Sequence, residues 1–84
     1  MSGKQRKILA AIFDEPTRSN IHWGDAVSAL KSYGVAVKPG GGSRFRLAFN
    51  GRKMIVHRPH PGSEMPKLLV ERVRRFCEQA GLWP

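Results

Sequence analysis

Hydrophobic and polar positions recur along this chain with two different periods, and the change of period divides it into elements. From Gly3 to Phe13, the apolar residues Ile8, Leu9, Ile12 and Phe13 fall at helical spacing behind Lys4, Arg6 and Lys7, which predicts a short helix ending before Pro16. Its cationic start opposes the helix dipole. After a polar break from Glu15 to Asn20, the residues Trp23, Ala26, Val27, Leu30 and Tyr33 follow an i, i+3, i+4, i+7 pattern. With Asp25 in the first turn and Gly34 as the stop, this predicts an amphipathic helix. Val35 to Lys38 then reads as a short strand and Pro39 to Gly42 as a loop.

Beyond that loop the period becomes two. Ser43 to Phe49 and Arg52 to Arg58 alternate on either side of Asn50-Gly51, the dipeptide that best supplies the two positive φ angles of a type I′ turn. The turn sets the register. Phe49 opposes Arg52, Leu47 opposes Met54 and Phe45 opposes Val56 on one face, while Ala48 with Lys53, Arg46 with Ile55 and Arg44 with His57 share the other. Pro59 and Pro61 end the sheet. A last helix starts near Pro66, a residue favoured at the first helical position, and buries Leu69, Val73, Phe76, Cys77 and Ala80 before Gly81 caps it. The predicted order is α-α-β-β-β-α. Such a chain makes a two-layer α+β domain, a three-stranded antiparallel sheet with helices covering Phe45, Leu47, Phe49, Met54 and Val56 on one face. The cationic face is left open.

Length and charge narrow the partners of that face. Eighty-four residues, without repeats or an interior linker, make one domain spanning residues 1–84. Fifteen Lys and Arg against six Asp and Glu leave a net charge of +9 and a pI near 10.9, so the natural partner is anionic, with nucleic acid the leading candidate. A membrane is not expected: no segment approaches the roughly 18 apolar residues of a spanning helix, and the basic residues are spread over all elements. Met1 to Lys7 lacks the apolar run of a secretory signal, and a lone Cys77 excludes an internal disulfide, which together point to the cytoplasm. No cluster of residues with metal-ligand spacing occurs, so neither a metal nor another cofactor is expected.

The open face gathers Arg44, Arg46, Lys53 and His57. Like charges that close are costly unless a polyanion is bound there. Ser43 and Arg58 at the strand ends, and Lys67 at the start of the last helix, are further candidates for phosphate contact. The backbone amides of Pro39 to Gly42 could cradle a phosphate, or the segment could simply connect two strands. His22 and Trp23 read as structural, Trp23 as the anchor of its helix. Cys77, on the apolar side of the last helix, reads as a small buried hydrophobe.

Leu30-Lys31-Ser32-Tyr33-Gly34, the pairs Gly42-Ser43 and His60-Pro61, and the stretch Val73 to Leu82 follow one another in an order and spacing that give the sequence a family likeness. By these residues, from Trp23 onward, it resembles the HicA family of bacterial toxins. The resemblance implies a fold like the double-stranded-RNA-binding domain, metal-independent endoribonuclease activity on messenger RNA, and a HicB-like antitoxin as protein partner. It also makes residues 1–15 an N-terminal helical addition. In the family a catalytic histidine usually follows the Gly-Ser pair, and here that position is Arg44, so the role does not carry over to it. His57, across the strand pair from Arg44, is then the imidazole placed to take the proton of a 2′-hydroxyl, and His60 is the candidate acid for the leaving oxygen. The arginines would stabilise charge on the phosphorane. Two further readings stand beside this one: a non-catalytic RNA-binding module of the same fold, and a cationic face that docks an acidic protein.

Overall fold

Six elements follow one another in the predicted order: α1 (Gly3–Ile12), α2 (Trp23–Ser32), β1 (Ala36–Pro39), β2 (Arg44–Phe49), β3 (Arg52–His57) and α3 (Lys67–Ala80). They come from a computed structural model that describes residues 3–59 and 62–84. The strands form one antiparallel sheet in the order β1-β2-β3. Asn50 (φ 51°) and Gly51 (φ 77°) make the expected turn, and the six pairs of β2 with β3 run from Phe49 opposite Arg52 to Arg44 opposite His57. A two-residue turn closes on a hydrogen-bonded pair, so bonded and non-bonded pairs alternate outward from Phe49 and Arg52. The Arg58 amide donating to the Ser43 carbonyl at 2.7 Å extends that alternation by one step. The open-face pairs are therefore the non-hydrogen-bonded ones, with Cα atoms only about 4.5 Å apart.

The helices lie on the apolar side of the sheet. α2 packs against β1, α3 against β3, and α1 against both α2 and α3. Leu47 and Val56 are fully buried at the centre, while Phe45, Phe49 and Met54 pack half-buried around them. Trp23 meets Phe45 edge to face, ring centroids 5.5 Å apart, which fastens the start of α2 to β2. Among the described residues no helix is long and apolar enough to cross a membrane.

Three expectations change in detail. β1 begins at Ala36 rather than Val35, because the Val35 amide is already committed to the Leu30 carbonyl (3.0 Å) across the left-handed Gly34 that ends α2. Pro66 stands at the N-cap of α3, one position before the first helical residue, with extended backbone. The N-terminal helix is more than an attachment: Leu9 and Ile12 are completely buried in the common core.

What holds α1 there is Arg74 of α3. Its guanidinium donates to the Ile12 carbonyl (2.9 Å), the Asp14 carbonyl (3.0 Å) and the Thr17 hydroxyl (2.9 Å), and it also reaches the exposed Glu15 carboxylate (3.1 Å). α1 has no basic residue in its last turn, so the cation that complements its dipole arrives from another element. Asn50 makes a similar link at the other end of α3. Its side-chain amide donates to the Ala80 carbonyl at 2.8 Å, beside the left-handed Gly81 cap.

Arg74→Met, which keeps the side-chain length but strands two carbonyls and a hydroxyl, should cost about 2–3 kcal/mol of stability by urea denaturation. An unchanged midpoint would refute the role given to Arg74. Asn50→Gly should keep the turn and lose about 1 kcal/mol with the Ala80 bond, whereas Asn50→Ala should lose about 1–2 kcal/mol more because it must hold positive φ. Equal losses for the two variants would show that the turn geometry is not limiting.

Candidate nucleic-acid interface

Alternation along three paired strands builds the open face. β2 and β3 contribute Arg44, Arg46, Lys53 and His57, all exposed, with Ile55 among them at 46 % exposure. β1 adds a cation that the hairpin pattern alone does not show. Lys38 pairs with Arg46, and Ala36 with Ala48, so both side chains of β1 join this face. Lys38, Arg46 and Lys53 rim a shallow hollow of about 150 Å³ whose remaining walls are Ala36 and Ala48. Small side chains between three cations leave room for an anion to approach the sheet. Strand alternation in the short segment after Gly34 is the signal that places Lys38 there.

At the far end of the face Arg44 stands directly opposite His57. The loop before it closes tightly: the Gly40 amide donates to the Arg44 carbonyl (2.9 Å) and the Arg44 amide to the Gly41 carbonyl (3.1 Å). Those bonds take up the Gly40 amide, so the loop acts as a hairpin connection more than as an open row of donors. The Arg44 side chain folds back toward it, with Nε 3.5 Å from the Gly41 carbonyl.

The remaining candidates lie elsewhere. Ser43 and Arg58 leave the open face and line a hollow with Pro39, Gly42, Phe45 and Pro59 at the end of the sheet. Lys67 is exposed on the helical layer as the first residue of α3. His60 and Pro61 lie outside the described residues. Three basic residues along the β3 and α3 edge, Arg52, Arg72 and Arg75, share a hollow with Lys53 and Gln79 over Met54 and Phe76. They are readable in the sequence as a helical stripe, since Arg72, Arg75 and Gln79 fall at i, i+3 and i+7 beside the buried Phe76.

The acidic residues are absent from the sheet. No Asp or Glu occurs between Asp25 and Glu64, a span that holds seven Lys or Arg and the whole sheet. Asp14 pairs with Arg18 and Glu15 with Arg74, on the side of the molecule where α1 meets α3. The basic face therefore has no internal counter-charge.

A family model described as the HicA toxin of bacterial toxin-antitoxin matches residues 23–82. The chain belongs to the HicA toxin family. No curated protein and no solved structure matches it. Membership makes it the toxin of a toxin-antitoxin pair, with an antitoxin as its partner. The match begins at Trp23, so α1 lies outside the HicA region, as does Trp83. These two flanking parts touch, Phe13 and Trp83 with ring centroids 5.3 Å apart. His22, just before the match, bonds through Nδ1 to the Ser63 hydroxyl (3.0 Å), while Trp23 and Met65 exchange backbone bonds with the same paired segments. That ladder joins the start of α2 to the approach of α3.

Cys77 is completely buried, and its burial, reinforced by the neighbouring Glu78 carboxylate, pushes the thiol up to about 12. It takes no part in nucleophilic chemistry near neutral pH. The folded state keeps this proton where the unfolded thiol, near 9.0, gives it up. The stabilisation is thus complete below pH 9 and is lost as pH rises from 9 toward 12. At pH 8 the native thiol should resist an aromatic disulfide reagent and react at once in urea. Rapid labelling of the folded protein would contradict its burial.

Proposed function

We propose that this HicA-family toxin is a metal-independent endoribonuclease acting on messenger RNA, with His57 as the general base and Arg44 as its transition-state partner. The observation that carries the reading is the direct opposition of Arg44 and His57 on an uncovered sheet face, beside Lys38, Arg46 and Lys53. A non-hydrogen-bonded pair brings the two side chains as close as a sheet allows. One imidazole can then take the 2′-hydroxyl proton as that oxygen attacks the adjacent phosphorus. The guanidinium offers paired donors to the non-bridging oxygens as negative charge builds on the phosphorane. Arg46 and Lys53 hold flanking phosphates, and Ser43, Arg58 and Lys67 extend the contacts around the end of the sheet. His60 is the proposed acid for the departing 5′-oxygen. A HicB-like antitoxin would silence the protein by covering this same face.

The test is cleavage of labelled RNA in EDTA by the purified protein. His57→Ala should retain the fold by circular dichroism and lose roughly 10²- to 10⁴-fold in cleavage rate, with loss of growth arrest on induced expression. An unchanged rate would remove His57 from the mechanism. Arg44→Ala should slow cleavage while leaving RNA retardation largely in place. Intact RNA that is merely retarded by the unaltered protein would favour the non-catalytic RNA-binding module, the reading to which Arg44 at the usual histidine position lends weight.

A further inference from the structure

A second run of basic side chains leaves the open face at its edge. β3 is an edge strand, and α3 lies beside it. Two hollows of about 240 and 290 Å³ follow the seam between them, and Arg72 lines both. One ends at His57, Arg58 and the highly exposed Leu68; the other ends at Arg52, Arg75 and Gln79. Together they follow the six residues of β3, a length of about 17 Å, with His57 at one end.

The lining has the composition of a single-stranded nucleic-acid track. Cations border it along its length, no carboxylate lines either hollow, and the exposed Leu68 and half-buried Met54, backed by the buried Phe76 and Leu69, supply apolar surface against which bases can lie. Among the described residues neither Arg52 nor Arg75 has an ion-pair partner. Arg72 is held in place, since its Nη2 donates to the Ile55 carbonyl at 3.2 Å. That carbonyl belongs to a non-hydrogen-bonded pair and so points away from β2, along the free edge of the sheet. Arg72 thus takes one of the acceptors that an added protein strand would use, and the basic lining of both hollows suits a phosphate chain.

We propose that the β3–α3 seam is an RNA-binding subsite, carrying the single strand away from the Arg44–His57 pair with its phosphates on Arg52, Arg72 and Arg75. The proposal rests on the RNA-cleaving reading of the open face and adds a path and a minimum length to its substrate. A short oligonucleotide can span the cleavage pair alone, whereas a longer one must also follow the seam.

The experiment measures binding of 2′-O-methylated RNA, which cannot be cleaved because it lacks the attacking hydroxyl. A trinucleotide and a dodecanucleotide are titrated by fluorescence anisotropy against the full chain and against Arg52→Ala/Arg75→Ala, with folding checked by thermal melting. Losing two phosphate contacts should weaken the dodecamer about 20-fold at 0.1 M salt and lower its slope of log K against log salt by about 1.4. The trinucleotide should bind both proteins alike. Equal dodecamer binding by the two proteins would overturn the subsite and leave the cleavage reading intact. Failure of the unaltered protein to bind either RNA would overturn both. Weakened binding of an acidic antitoxin by the double variant, with RNA binding unchanged, would reassign the seam to the protein partner and overturn the proposal.

Discussion

The register of β2 on β3 is the constraint on which the rest of this molecule depends. Side chains of a strand alternate between faces, so a slip of one residue would turn one strand over, sending Leu47 outward and burying Arg44 and Arg46 in β2, or sending Val56 outward and burying Lys53 and His57 in β3. Burying an unpaired guanidinium costs far more than a small domain can absorb, and this makes the register steep as well as defined. Asn50 holds it at two levels. Its backbone takes the positive φ that the turn needs, and its side chain fixes the turn to the last carbonyl of α3. The same residue thus sets which side chains share a face and where the covering helix ends.

Concentrating cations on an open sheet face opposes folding, because nearby like charges repel and no carboxylate lies in the intervening sequence to relieve them. The core offsets this with apolar contact alone: among the described residues no buried side chain is polar or charged. A face with that charge and no partner within its own chain has its free energy lowered by any polyanion. The RNA proposed as substrate and the antitoxin would compete for the same electrostatic field, and complementary charge would speed either encounter.

α3 joins these features. One side of it buries Val70, Val73, Phe76 and Cys77; Arg74 crosses to the end of α1, and Arg72 crosses the opposite way to the edge of β3. Two arginines two residues apart point to different neighbours, as a helix requires. One is largely buried, spends four hydrogen bonds on the end of α1 and the segment after it, and works as a cap. The other remains exposed and keeps donors for a ligand.

Local sequence determined most of the fold. Helical spacing marked α2 and α3, the Asn-Gly turn with alternating flanks determined the β2–β3 register to the residue, and alternation then separated an apolar from a cationic face. These are legible because helix and hairpin geometry depend on neighbours a few positions apart. The opposition of Arg44 and His57 follows from the same local rule. Only the tertiary structure decided what depends on distant partners: that α1 is part of the core, that Arg74 caps it from the far end of the chain, and that Arg52, Arg72 and Arg75 meet along one seam. Each of those requires knowing how helices and edge strands pack, and packing is set by the sum of many long-range apolar contacts, which no short stretch of sequence contains.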